Sequence, residues 1–212
     1  MRVWKQPLGA TLRPAHDSHP RLLEDAFVDA AHQDPAQAVR MLARRRRLAH
    51  ARASWGETAL QAASHLGHQD LVRRLVNAGA PLDVFAACAV GDWPAVLALL
   101  PRSDPDDLGV HGLPLSHFAV MSGDPRMLQT LVDAGVALNP RGASLSPLHS
   151  AVAIGSIPMI RTLMGAGVDC EVRDAFGATA LEWAYEVEDR GSVLAVLLAA
   201  GLRRPTVLRS AG

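Results

Sequence analysis

The fold is decided by the stretch Ser146-Pro147-Leu148-His149-Ser150-Ala151-Val152-Ala153-Ile154-Gly155. Similar stretches stand at residues 56–67 and 177–184. Two of the three are followed by a second apolar segment that contains a glycine stop, at residues 75–80 and 163–168. A turn, two short helices and a glycine therefore recur along the chain. Repetition of this kind predicts a helical solenoid and argues against an enzyme.

The length of the repeat follows from the positions between the two helices of each unit. Successive positions are 33, 24, 32, 32 and 33 residues apart, at Asp34, Gly67, Gly91, Gly123, Gly155 and Glu188. Four of the five spacings agree with a period of about 33 residues. The pattern predicts six helix pairs, of which one interval is about nine residues short.

Over about residues 22–202 the chain resembles the ankyrin-repeat family. The segment from Ser146 to His149 is a near-complete copy of the family's Thr-Pro-Leu-His motif, and Thr58 and Thr179 occupy the place of its threonine. The resemblance implies an all-α solenoid of helix pairs with short β-hairpin or turn fingers. It also implies that His149, and His117 in the matching place, are structural and hydrogen-bond the turn backbone between adjacent units.

The predicted domain organisation combines this resemblance with residues 1–20, which contain prolines but no apolar period. An extended N-terminal arm covers residues 1–20, the ankyrin-repeat domain covers residues 21–202, and a C-terminal tail covers residues 203–212. The approximate repeats are residues 22–52, 53–83, 84–107, 108–140, 141–173 and 174–202.

Two units depart from the family pattern. The short interval lies before the third pair, where Asp83 leads straight into an apolar segment that starts with Val84 and Phe85. We therefore predict that this unit lacks its hairpin finger, that Asp83 caps the helix directly, and that a notch near Phe85 admits a protruding element of a partner. In the fourth unit, Pro114 and Leu115 stand one place early relative to the motif.

Composition narrows the class of protein. The 212 residues carry no formal net charge, which argues against a general polyanion binder, and 49% are hydrophobic although only 4% are aromatic. Such a core consists of Ala, Leu and Val. No apolar run of about 18 residues occurs, so we expect a soluble, cytoplasmic protein that is a monomer when free. Cys88 and Cys170 are interpreted as small buried thiols.

The sequence contains no catalytic or metal-binding motif such as His-Glu-x-x-His, Cys-x-x-Cys or Gly-x-Ser-x-Gly. The acidic residues Glu186, Glu188 and Asp189 lie beside Arg190, and a solvated face explains them. We therefore predict no catalytic residue, no metal ligand and no cofactor.

The run Arg44-Arg45-Arg46-Arg47 is the sharpest charge feature and has two interpretations. At the end of the second helix of the first unit, cations interact favourably with the helix dipole. Alternatively, the run forms an anion-binding end of the solenoid for nucleic acid or an acidic partner. The neutral chain and the lack of an aromatic platform beside the run make nucleic acid the less favoured partner.

The resemblance further implies a partner-binding concave face formed by finger tips and first helices. Its candidate residues are Trp55, Glu57, His65, Leu66, His111, Leu113, Met121, Leu145, Ile154, Phe176 and Val187. Many are apolar, so either they form a groove for an apolar peptide, helix or loop, or they pack between units. The function expected from the resemblance is a non-catalytic scaffold, such as an adaptor, inhibitor or neutralising partner, that binds an unidentified protein.

Overall fold

The computed structural model describes residues 22–104, 106–186 and 190–203. The expected arm at residues 1–20 lies outside these ranges, as does the expected tail apart from Arg203. The described helices form six consecutive pairs, numbered here as units one to six. Their bounds are Leu22–Gln33 (α1), Pro35–Arg44 (α2), Ala59–His65 (α3), Gln69–Asn77 (α4), Val84–Val90 (α5), Trp93–Leu99 (α6), Leu115–Ser122 (α7), Pro125–Asp133 (α8), Pro147–Ala153 (α9), Ile157–Gly165 (α10), Ala180–Ala184 (α11) and Arg190–Ala199 (α12).

The first helices begin where small polar side chains cap them. The Thr58 side chain accepts from the Gln61 backbone while Gln61 reaches back to the Thr58 backbone, and Thr179 and Glu182 form the same capping box in unit six. Ser146 caps α9 ahead of Pro147, the order that the motif requires. Each cap contributes about 0.5–2 kcal/mol. Glycine ends α5, where Gly91 takes φ 70° and ψ 31°, a left-handed conformation that side chains with a Cβ rarely adopt.

The core is built from Ala, Leu and Val packed between neighbouring units. It divides into two clusters that meet at α5: Ala86 and Val90 join the cluster of the first units, while Ala87 and Cys88 join that of the later units. Cys88 is fully buried, and burial raises the pKa of its thiol to about 12. Cys170 is only partly buried, so the expectation of two buried thiols is correct for Cys88 and too strong for Cys170.

The fingers are smaller than full hairpins. Within the described residues they are reduced to single antiparallel bridges, Arg52 with Thr58, Leu108 with Pro114 and Arg173 with Thr179. In unit three the finger is missing, as predicted: the Asp83 side chain caps α5 directly by accepting from the Ala86 amide at 2.8 Å.

The missing finger brings units two and four into direct contact. Nε2 of His117 on α7 lies 2.8 Å from the carbonyl oxygen of His65 at the end of α3. The Gln69 amide of α4 donates to the carbonyl oxygens of Met121 and Ser122 at 3.3 and 2.9 Å. Helix α5 packs against both α3 and α7, and α3 and α7 also contact each other directly.

The start of α7 shows how unit four accommodates the early proline of its motif. Pro114 is the N-cap residue and makes no side-chain cap hydrogen bond, so the helix begins at Leu115. His117 is therefore the third helical residue, the same position that His149 occupies in α9. The proline has shifted relative to the motif, whereas the histidine has kept its register.

The motif histidines are structural, as the resemblance implied. His149 Nε2 lies 2.9 Å from the carbonyl oxygen of Ala178 in unit six, and its Nδ1 lies 2.8 Å from the Ser146 hydroxyl. Since a carbonyl oxygen only accepts, Nε2 donates there and Nδ1 accepts from the hydroxyl. His117 differs in reaching back to unit two with Nε2 while its Nδ1 contacts Ser150 of unit five at 2.7 Å.

Across the described ranges, no helix has the length and apolarity needed to cross a membrane.

Candidate functional site

Four polar side chains from three units converge at the finger side of the first half of the chain. They are His32 at the end of α1, Glu57 in the turn before α3, His65 at the end of α3, and His111 in the turn before α7. One potential ligand atom from each lies within 4.8 Å of those of the others. We call this group the His₃Glu cluster. His111 can reach it because the missing finger lets unit four approach unit two.

Glu57 is the centre of the cluster. Its Oε1 lies 3.2 Å from Nε2 of His32, 3.2 Å from Nε2 of His111 and 3.8 Å from Nδ1 of His65. The residue is only 5% exposed, and Oε2 accepts a hydrogen bond from the Trp55 indole at 3.1 Å. Oε1 is buried and has no partner in hydrogen-bonding geometry, although three imidazoles surround it. An oxygen placed in this way costs free energy unless something else binds it.

Backbone contacts orient two of the imidazoles. Nδ1 of His32 lies 2.9 Å from the carbonyl oxygen of Val28 and donates to it, which turns Nε2 towards Glu57. Nδ1 of His65 lies 3.0 Å from the carbonyl oxygen of Gln61, so this nitrogen is shared between the helix backbone and the cluster.

His111 is held in an unusual backbone conformation. With φ 59° and ψ 18°, it is the one non-glycine residue with positive φ among the described residues. This left-handed region costs a residue with a Cβ about 1–2 kcal/mol. The strain is balanced by surrounding contacts, such as the Ser144 hydroxyl that donates to the His111 carbonyl oxygen at 2.7 Å.

The electrostatics of the cluster favour an ionised Glu57 beside a protonated His32. Burial opposes the charge on Glu57, but its contacts with His111 and His32 outweigh burial and hold the pKa of Glu57 well below its usual range. Burial likewise opposes protonation of His32, but Glu57 outweighs it and raises the pKa of His32. Burial, followed by the charges on His32 and His111, lowers the pKa of His65 to about 3, so His65 is neutral.

The sequence analysis selected three members of the cluster for another reason. Glu57, His65 and His111 were expected on a partner-facing surface, whereas His32 was not selected and no metal ligand was assigned. One signal was present: His32 and His65 each stand two places before a turn position, in consecutive repeats. Residues so placed lie side by side in stacked units. No sequence pattern indicated that His111 would lie beside these residues.

The structure divides the expected apolar stripe into buried and exposed parts. Ile154 is 44% exposed and Phe176 56% exposed, while Trp55 and Leu66 are partly exposed. Five of the candidate residues are buried, as the alternative of packing between units implies: Glu57, His65, Leu113, Met121 and Leu145. Val187 lies outside the described residues, as do Glu188 and Asp189.

A cavity of about 280 Å³ lies beside Phe85, where the sequence predicted a notch. Helix α3, the start of α5, the segment 108–110 and Phe118 line it. Gly109 allows the closest approach, because a Cβ there would lie 2.8 Å from the Phe118 ring. Unit four therefore covers part of the opening that the missing finger leaves.

The arginine run begins at the end of α2 and continues into the 3₁₀ turn Arg46–His50. All four side chains are exposed. Arg46 donates to the carbonyl oxygens of Asn77 and Ala78 at 2.6 and 3.3 Å, so it caps the end of α4 in the next unit. The sequence predicted that the arginines interact with the end of their own helix, α2. The structure shows that Arg46 instead binds the end of the neighbouring helix α4.

The repeated helix pairs and their capping motifs agree with comparisons to known families. A model of ankyrin repeats matches residues 116–203 in three copies, and a single ankyrin-repeat model matches residues 55–88. The chain belongs to the ankyrin-repeat family. Ankyrin repeats generally mediate protein–protein interaction and are typically non-catalytic. No curated protein matches this ankyrin-repeat chain significantly.

Proposed function

We propose that this ankyrin-repeat protein is a non-catalytic scaffold that binds a partner protein through the groove formed by its fingers and first helices. The exposure of Ile154 and Phe176 is the observation that carries the proposal. Both are large apolar side chains at positions that the family pattern assigns to partner contact, in units five and six. Contiguous exposed apolar patches are typical of interaction sites, and the proposal is that these two side chains contribute to one.

Two features support a groove at this side. Ile154 directly follows α9, and Phe176 lies in the finger turn before α11, where the Asp174 carboxylate accepts from its backbone amide at 2.9 Å. A turn held in this way presents the ring in a set orientation, which keeps the ordering cost of binding low. The cavity beside Phe85 adds a recess on the same chain that a protruding partner element would enter.

The test is affinity capture from a lysate of the source cells with the wild-type chain and two variants. The double variant Ile154→Ser/Phe176→Ser removes the proposed contacts. The matched control is Leu97→Ser, since Leu97 is 60% exposed but belongs to α6, a second helix. We expect wild type and Leu97→Ser to capture the same protein and the double variant to lose it, with equal circular dichroism for all three. Retention of that protein by the folded double variant would refute the groove.

The alternative function is binding of nucleic acid or an acidic partner through Arg44–Arg47. The exposure of all four side chains favours it, although Arg46 is already engaged with α4. The test is an electrophoretic mobility shift with mixed DNA and RNA at physiological salt. A shift that disappears in Arg44→Ala/Arg45→Ala/Arg47→Ala would support this function, and the absence of a shift in the wild type would exclude it.

A cytoplasmic location and a monomeric free chain complete the proposal. Both stay predictions, which cell fractionation and light scattering coupled to size exclusion test directly.

A further inference from the structure

We propose that the His₃Glu cluster binds a divalent transition-metal ion, zinc by preference, through His32, Glu57, His65 and His111. The site would join units one, two and four, and it does not include the proposed partner contacts Ile154 and Phe176 of units five and six. The argument rests on the identity of the donor atoms, their separations and the buried oxygen at their centre.

The donor set is the one that zinc takes in proteins. Zinc binds imidazole nitrogen and carboxylate oxygen, mostly with four tetrahedral ligands, whereas magnesium and calcium prefer oxygen alone. Three imidazoles and one carboxylate therefore point to zinc or a related ion. Four protein ligands close the coordination sphere, which is typical of a structural rather than a catalytic site.

The distances between the potential ligand atoms are compatible with a single bound ion. With metal–ligand bonds of about 2.0–2.2 Å, tetrahedral ligands lie about 3.3–3.6 Å from one another. Glu57 Oε1 lies 3.2 Å from Nε2 of both His32 and His111, and 3.8 Å from Nδ1 of His65. Modest shifts of the side chains would therefore place all four around one ion.

A cluster of hydrogen bonds explains the geometry less well. Backbone carbonyl oxygens already accept from His32 and His65, and these hydrogen bonds do not explain why three imidazoles crowd around Glu57 Oε1. Glu57 Oε1 is buried yet has no partner in hydrogen-bonding geometry. A divalent ion would use this oxygen and the imidazole lone pairs together.

Outer contacts hold the ligands as metal sites require. The Val28 carbonyl oxygen fixes the tautomer and ring orientation of His32, and the Trp55 indole holds the second oxygen of Glu57. His65 would release its hydrogen bond to the Gln61 carbonyl oxygen, or turn its ring, to complete the sphere. The strained backbone of His111 places its imidazole in the cluster.

The experiment uses the full chain, depleted of metal with EDTA and titrated with ZnCl₂ alone. Isothermal titration calorimetry gives stoichiometry and affinity, and thermal unfolding with and without zinc gives the coupling to stability. We expect one zinc per chain and a higher Tm with zinc. The variant is His111→Asn, because asparagine tolerates the left-handed backbone. Its zinc affinity should fall more than about 100-fold, beyond the 10–100-fold that outer contacts control.

The matched control is His50→Asn, which also removes one imidazole. His50 is exposed and lies outside the cluster, so its variant should bind zinc as the wild type does. Glu57→Gln is the second ligand variant, and circular dichroism checks that each variant is folded. Cobalt in place of zinc should give the intense visible absorption of a tetrahedral site. Failure of the metal-depleted wild type to bind zinc at micromolar concentration, or equal affinity in His111→Asn and His50→Asn, would overturn the proposal.

Discussion

The imidazole of His117 donates from Nε2 to the backbone carbonyl oxygen of His65, 2.8 Å away and 52 positions earlier in the chain. The two residues belong to units four and two, and a regular array would have kept them apart. Burial lowers the pKa of His117 to about 4, so the ring is neutral and its Nδ1 accepts from the Ser150 hydroxyl at 2.7 Å. One side chain therefore ties units two, four and five together.

Removing this tie should destabilise the chain strongly. We expect His117→Ala to lower the free energy of unfolding by about 2–4 kcal/mol, because it leaves a buried carbonyl oxygen and a buried hydroxyl without their partner and opens a cavity. Urea unfolding monitored by circular dichroism measures the loss. His50→Ala serves as the comparison, since its exposed ring should cost less than about 0.5 kcal/mol. Equal stability of the two variants would mean that the contact with His65 contributes little.

His149 predicts a specific loss of stability in acid. Burial lowers the pKa of His149 in the folded state below the ordinary value of 6.5. Just below pH 6.5, the unfolded state therefore binds a proton that the folded state does not. The neutral His149 therefore makes its full contribution to the free energy of unfolding above pH 6.5, and this contribution declines as the pH falls below 6.5. His149→Gln retains a donor for the Ala178 carbonyl oxygen but does not titrate. Its unfolding free energy should fall less than that of the wild type between pH 7.5 and 5.5, and parallel profiles would contradict this assignment.

Gly109 should be intolerant of any side chain. A Cβ there would lie 2.8 Å from Phe118 and 3.0 Å from Phe85, whose rings contact each other with centroids 5.1 Å apart. Since the Phe118 ring is buried and cannot retreat, Gly109→Ala should cost about 1–3 kcal/mol in thermal or urea unfolding. The reference is Gly165→Ala at the end of α10, where no atom lies within 4 Å and φ is ordinary. That variant should be neutral or up to about 1 kcal/mol more stable.

In unit three, the Asp83 side chain caps α5 directly where other units have a finger. Removing this side chain tests how much the cap contributes to stability. Asp83→Ala should lower the free energy of unfolding by about 0.5–2 kcal/mol, because the Ala86 amide loses its acceptor. Asp83→Asn keeps a side-chain oxygen and should stay within a few tenths of a kcal/mol of the wild type. If urea unfolding finds the two variants equally destabilised, the carboxylate charge rather than the cap would be what matters at this helix.

Much of the fold could be read from local patterns. The spacing of turn positions predicted the helix pairs, and the short interval before Asp83 predicted the missing finger, which the direct cap confirms. His149 was identified as structural because its motif stands nearly complete in the chain. Each of these features depends on residues within one repeat, where spacing along the sequence translates directly into geometry.

The residues of the candidate sites could be predicted from the sequence only in part. For Met121 and Leu113 the sequence left a partner groove and packing between units as alternatives, and both residues are buried. His32 was overlooked because no short motif links it to Glu57, and His111 reaches the same place only through the approach of unit four to unit two. Ile154 and Phe176 were expected to be exposed and are, since the later units keep the regular spacing.

By itself, then, the sequence determined the repeat family, the register of the helices and the position of the deletion. These depend on caps, glycines and apolar periods that act over a few residues. The tertiary structure alone decided which residues meet across the deletion: His117 with His65, and His111 with Glu57. The physical reason is that these contacts depend on how closely two non-consecutive units approach, a distance set by the packing of α5 and of Gly109 rather than by any local pattern.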